Sequence, residues 1–259
     1  MRLSTEAREL VFASSRCGVF PKRSRSSRSI PQTKSILPEN TLQTPLNNPH
    51  PVKTNYYIDA FNLFYGSLKG RPNRKWLDPA ALFGRIFPDN EIHRIRYFTA
   101  RVENRPPDFR QPERQAAYFR ALETTPNLSI HYGQYRTRST YMTLAAPPRR
   151  GPKSVRVLKT EEKGSDVNLA SYLLLDAFRE DCEVAIVVSN DADLKTPIEL
   201  AVSELGIDVG VLNPHPWKRR SRDLKPTFLK QLRQGPIVAS QFAPVLRDSL
   251  GEIHKPEGW

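Results

Sequence analysis

The sequence predicts an α/β protein with a mainly parallel sheet and helices on both faces. Three observations carry this. From Lys53 onward, short apolar runs alternate with helix-length stretches. Such alternation favours parallel strands joined by crossover helices. Val184–Val188 is apolar at every position, as a strand covered on both faces requires. The helical stretches also carry their own start and stop signals, such as Asp78-Pro79 and Gly206.

The elements follow in order. Asn55-Tyr56-Tyr57-Ile58 is a short apolar and aromatic run ending at Asp59, the signal of a buried strand. Asp78 is a natural N-cap, and Pro79 suits the first helical position. Ile92–Thr99 reads as the second strand, Pro112–Glu123 as a helix and Leu128–Tyr132 as the third strand. Arg136–Lys153 reads as a basic loop, broken by Pro147-Pro148 and Gly151-Pro152. A short strand is expected at Val155–Leu158 and a helix at Asp166–Phe178. Val184–Val188 is the central strand, and Asp193–Leu205 a helix stopped by Gly206. Ile207–Leu212 is expected as the last strand, with one further helix near Thr227–Gln234.

Residues 1–52 differ in composition. They are rich in Ser, Pro, Asn and Arg, with Arg23-Ser24-Arg25-Ser26-Ser27-Arg28-Ser29 at the centre. This composition buries too little apolar surface to offset chain entropy, so disorder is expected. A basic arm that holds RNA, a weak targeting segment (Glu6 and Glu9 argue against it) and an over-extended start all fit. The expected organisation is therefore a disordered basic extension at 1–52, a domain at 53–213 and a basic C-terminal extension at 214–259.

The chain has 259 residues and a net charge of +13. The 1–52 segment holds eight Lys and Arg against three acids, leaving +8 for the rest. A balance this basic favours a polyanionic partner, nucleic acid first. No apolar run is long enough for a membrane span. Cys17 and Cys182 are the only cysteines, and the five histidines show no paired spacing. A disulfide framework, a Cys-rich zinc site and a histidine-based metal site thus lack support. No GxxxxGK[ST] run is present, so a P-loop is absent.

Chemistry in open α/β sheets gathers at the carboxyl ends of strands. Asp59 ends the first strand, and Asp191 and Asp193 lie just past the central one. Asp166 opens the helix before that central strand. If the strands lie side by side, four carboxylates meet at one edge. Carboxylates about 4 Å apart repel by roughly 4 kcal/mol at an effective dielectric near 20. They need protons or a cation. Hard oxygen ligands without His or Cys select Mg²⁺ or Mn²⁺. Taken singly, each aspartate fits a turn or capping role, and it is their shared position that argues for more.

Three motifs extend this reading: Tyr57-Ile58-Asp59-Ala60-Phe61-Asn62-Leu63, Glu161 through Ala170, and Val187-Val188-Ser189-Asn190-Asp191-Ala192-Asp193-Leu194. In these, the chain resembles the NYN domain proteins, a branch of the PIN-like nuclease superfamily (the LabA and limkain-type group). The resemblance runs from about Lys53 to about Leu212. It implies a Rossmann-like three-layer α/β/α sandwich and a metal-dependent ribonuclease. By position it makes Asp59, Asp166, Asp191 and Asp193 the metal-binding acids, and Asn62 the polar residue that orients the site. Ala60, Asn190 and Ala192 stand where the family often has Gly.

The expected activity is hydrolysis of RNA phosphodiester bonds with carboxylate-held Mg²⁺ or Mn²⁺. A non-catalytic RNA-binding or scaffold protein is the alternative. A phosphomonoesterase is disfavoured, because Phe61 stands where its second aspartate belongs. Lys163, Arg136, Arg138, Arg149, Arg150 and Lys153 are the candidate RNA contacts, with tyrosines interleaved for base stacking. RNA is the expected partner and the membrane is not. The cytoplasm is the expected location, and assembly into a homo-oligomer stays open.

Overall fold

Strand β1 (Val52–Asp59) lies inside the sheet and is buried from Thr54 to its end. A computed structural model describes residues 50–104 and 108–259; the disorder expected at 1–52 falls, but for its last three residues, outside that range. Helix α1 (Ala60–Leu63) follows β1 directly and runs on as a π-helical turn, Phe64–Leu68. Asp78 caps α2 (Pro79–Ile86) by accepting from the amides of Ala80 and Ala81 at 2.9 and 3.1 Å. Then come β2 (Asn90–Thr99), α3 (Gln111–Glu123) and β3 (Leu128–Tyr132). Strands β4 (Gln134–Thr143) and β5 (Ser154–Lys163) precede α4 (Ser165–Phe178) and β6 (Val184–Val188). A 3₁₀ turn (Ala192–Leu194) leads into α5 (Lys195–Ser203) and β7 (Asp208–Asn213). The chain closes with β8 (Phe228–Gln231), α6 (Gln234–Ala239), β9 (Val245–Asp248) and β10 (Gly251–His254).

Six strands form one all-parallel sheet in the order β3-β2-β1-β6-β7-β8. The side-chain period of two divides its residues between two cores. Tyr56, Ile58, Tyr97, Ile186, Val188 and Leu212 face one layer, which includes Leu82 and Phe83 of α2 and Tyr118, Phe119, Ala121 and Leu122 of α3. Tyr57, Phe98, Ala185, Val187, Val209 and Val211 face the other, with Leu169 and Leu173 of α4 and Ile198 and Ala201 of α5. The result is a three-layer α/β/α sandwich. The second layer is pinned by a buried pair: Arg96 donates to both carboxylate oxygens of Asp176 at 2.7 and 2.8 Å. Tyr57 Oη donates to the same carboxylate at 2.8 Å.

Several expectations need correction. Arg136–Lys153 is not all loop. Its first part belongs to β4, which pairs antiparallel with β5 from Gln134↔Lys163 to Thr143↔Ser154. The pairing also extends β5 far beyond Val155–Leu158. β4 is largely exposed and β5 has no buried position, so their register rests on backbone bonds and not on a core. Nor is β7 the last strand. β8 pairs parallel with it, from Gly210↔Phe228 to Asn213↔Gln231. Half of the expected Thr227–Gln234 helix is thus strand, and the helix begins at Gln234. A boundary at Asn213 would cut through the sheet.

Candidate metal centre at the sheet edge

β1 is flanked by β2 on one side and β6 on the other. This is the switch point, where connections leave in opposite directions and a crevice forms at the carboxyl edge. Asp59 ends β1 at that edge, and Ser189 follows the last residue of β6. Asp59 also caps α1, accepting from the Asn62 amide at 2.9 Å. Its other oxygen accepts from Ser189 Oγ at 2.9 Å, and Ser189 Oγ accepts from the Asp191 amide at 3.1 Å. Asn62 Oδ1 accepts from the Asn190 amide at 3.0 Å. The loops after β1 and β6 are therefore tied together by short polar side chains.

Asp166 arrives from α4. The N-cap of that helix is Gly164, at φ 103, a backbone region that favours glycine. Glycine has no capping side chain, and Glu162 takes that role. Its carboxylate accepts from the Ser165 amide at 3.1 Å and from Ser165 Oγ at 2.7 Å. This clamp fixes the first turn of α4, which carries Asp166.

Asp59, Asp166 and Asp191 each offer a carboxylate oxygen, and the three oxygens lie within 4.8 Å of one another. Asp59 is buried and the other two are half-buried. Among the described residues no Lys or Arg forms an ion pair with any of them. Burial pushes the Asp59 carboxyl above its ordinary value, against the hydrogen bonds from Asn62 and Ser189. Asp166 is pushed up to about 6, first by burial and then by the charges of Asp59, Asp191, Glu162 and Asp193. Three uncompensated carboxylates this close, with no nitrogen or sulfur ligand, fit a hard divalent cation. Asp193 lies outside the trio and is exposed. Its amide donates to Asp191 Oδ1 at 3.0 Å, and its charge still reaches Asp166.

Arg136 and Arg138 are exposed on β4, and Arg149, Arg150 and Lys153 lie on the exposed connection to β5. Arg138 and Lys163 share Glu161, at 3.5 and 3.8 Å. Asn190 reads in the sequence only as a turn residue, yet it draws a second basic stretch to this edge. Its side chain donates to the Arg219 carbonyl at 3.0 Å and accepts from the Ser221 amide at 2.7 Å. Ser189 and Glu162 are the other residues that sequence reasoning misses. Ser189 has a signal as the hydroxyl between β6 and Asp191, and Glu162 as the acid two residues before Gly164.

An all-parallel sheet between two helical layers, with an acidic trio at its switch point, is the PIN-like, nuclease-type fold. The NYN domain model matches residues 53–230, and the chain belongs to the NYN domain family. It is 30% identical over 238 residues to 6-hydroxy-3-succinoylpyridine 3-monooxygenase HspA of Pseudomonas putida (strain DSM 28022 / S16), covering 81% of this chain and 76% of that one. Among solved structures it is similar to a protein of unknown function from Vibrio parahaemolyticus RIMD 2210633. The TM-score there is 0.47 at 16% identity, over 73% of this chain and 97% of the other. Among the described residues, no helix is long and apolar enough to cross a membrane.

Proposed function

We propose that the protein is a Mg²⁺- or Mn²⁺-dependent ribonuclease. The observation that carries this is the trio of Asp59, Asp166 and Asp191, with oxygens within 4.8 Å and no cationic partner. A divalent cation held there would neutralise phosphate charge and lower the pKa of water at the scissile bond. The chain's own residues do the rest. Ser189 and the Asn62 amide hold Asp59 in one rotamer. Asn62 fixes the Asn190 amide, and with it the loop that carries Asp191. Glu162 sets the pitch of the turn bearing Asp166. Asp193 is at the rim, open to solvent or a hydrated ion. The exposed cations of the β4–β5 hairpin and the Lys218–Lys225 stretch suit the phosphate backbone, which dominates RNA affinity. The test is turnover of single-stranded and hairpin RNA with Mn²⁺. Cleavage should vanish in EDTA and in Asp59→Asn and Asp191→Asn. Cleavage that survives all three sinks the proposal.

A second reading follows from one comparison. The relative from Pseudomonas putida is named as a 3-monooxygenase of a hydroxylated pyridine derivative, and the match spans most of both chains. This favours oxygenation of a small heteroaromatic acid as the alternative activity. Its signature is substrate-dependent O₂ consumption with an added reductant and no RNA turnover.

A further inference from the structure

A second feature shares no lining residue with the acidic trio. A cavity of about 330 Å³ opens between the α1 turn, the carboxyl end of β2 and helix α3. Its wall begins at Ala60 and Phe61, the two residues after Asp59. Phe64, Tyr118, Phe119 and Trp259 are among the other aromatic residues that line it. Several of these rings are held in place. Tyr118 Oη donates to the Leu77 carbonyl at 2.9 Å, and the Trp259 ring packs at 64° to Tyr118, 5.8 Å between centroids. Phe61 packs edge-on against Tyr135 at 6.1 Å. Such walls offer flat π-faces at low ordering cost.

The same cavity is lined by cations. Arg114 is committed to Asp108, which also lines it. Lys69 and Lys75 are different: neither has a carboxylate partner among the described residues. Lys75 Nζ sits 5.7 Å from the Trp259 ring centroid, and Lys69 Nζ sits 4.6 Å from that of Tyr65. Each cation therefore lies over an aromatic ring with hydrogen-bond donors to spare. A volume near 300 Å³ is at the small end of ligand pockets. It is too small for a folded partner and suits one or two fused rings.

We propose that this cavity seats a single planar aromatic ring carrying an anionic group, with the ring against Phe61, Phe64 and Trp259 and the anion at Lys69 and Lys75. Two sources share this chemistry: a nucleotide with its base and phosphate, and a free aromatic or heteroaromatic carboxylate. The pocket wall begins at Ala60, the residue that follows Asp59 in the chain.

The test is equilibrium binding by the full chain in EDTA, which separates it from any cleavage or oxygenation activity. Trp259 lines the cavity, so quenching of its fluorescence reports occupancy. The probes are uridine 5′-monophosphate, a hydroxypyridine carboxylate, inorganic phosphate and unsubstituted pyridine. Saturable quenching by either anionic ring, with phosphate and pyridine much weaker, supports the proposal and identifies the source. The Lys69→Ala/Lys75→Ala variant should bind about tenfold more weakly or worse, as removal of a charge-assisted hydrogen bond implies. Both lysines are outside the core, so its circular dichroism should be unchanged. Binding of phosphate as tight as the nucleotide overturns the proposal, as does no binding by either ring. Full affinity in the double variant, or quenching that persists in Trp259→Phe, overturns it equally.

Discussion

Replacing Asp166 by Asn should stabilise the protein without metal and destabilise it with metal. The reason is that Asp166 ionises against burial and against Asp59 and Asp191. Its carboxyl is pushed from 3.8 to about 6. Each pKa unit is about 1.4 kcal/mol, so the full shift would be worth about 3 kcal/mol at pH 7.5. Asp166 is only half-buried, and solvent screening reduces this to ~1–2 kcal/mol. Loss of a negative charge in the first turn of α4 costs ~0.3–1 kcal/mol in return. The net gain is about 1 kcal/mol, or roughly 2–4 °C in a domain of this size. The sign of the pH dependence follows. A carboxyl with a raised folded pKa adds stability below its unfolded value near 4, and loses it as pH rises through about 6. His131 and His215 are held below the ordinary imidazole value, mainly by burial. They titrate nearby with the opposite sign, so the readout is the difference between wild type and variant. Thermal unfolding in EDTA from pH 4.5 to 7.5 should show that difference growing with pH. With millimolar Mn²⁺ the order should reverse, because the ion stabilises only the intact trio. A variant less stable than wild type in EDTA at pH 7.5 would mean that Asp166 does not ionise against its neighbours.

Other predictions concern the supports of the site. Asp176→Asn leaves the Arg96 guanidinium buried without its carboxylate, so urea denaturation should show a loss of about 3–5 kcal/mol. In Gly133→Ala, a Cβ would fall 1.9 Å from Glu162 Oε1 and 2.8 Å from the Lys163 carbonyl. Glu162 must then leave Ser165 and the backbone at Lys163 must shift with it, so calorimetry should record weaker Mn²⁺ binding and thermal unfolding a lower Tm. Ser189→Ala removes a donor to the buried Asp59, costing ~1–3 kcal/mol in chemical denaturation. For RNA, Arg136→Ala with Arg138→Ala should lower the salt-dependence slope of binding by about 0.7 for each phosphate that is no longer neutralised.

The parts of the fold legible in the sequence are those with a core to face. β1 and β6 carry apolar runs because two layers cover them. β4 carries no such pattern, since most of its ten positions are exposed. A polar hairpin whose register is set by backbone pairing looks like a loop. β8 is a four-residue edge strand, mostly exposed, and its Phe-Leu-Lys-Gln suits a helix as well. The aspartates of the trio are legible because strand ends are recognisable and carboxylates are conspicuous there. Asp193 shows the limit: in sequence it is two residues from Asp191, but the 3₁₀ turn leaves it exposed while Asp191 faces the trio. Glu162 acts through a helix start whose cap is a glycine, and no ordinary capping pattern marks it. The aromatic cavity joins residues from Ala60 to Trp259, and no local pattern announces it.

Whether Asp59, Asp166 and Asp191 hold one divalent cation decides most of what is proposed for this protein. Crystals grown with Mn²⁺ and measured at the manganese absorption edge answer that question. A shared site gives one anomalous peak with an oxygen from each of the three carboxylates at about 2.0–2.6 Å, and the peak disappears in Asp59→Asn. No peak there at millimolar Mn²⁺, or a peak bound without Asp59 and Asp191, would contradict it.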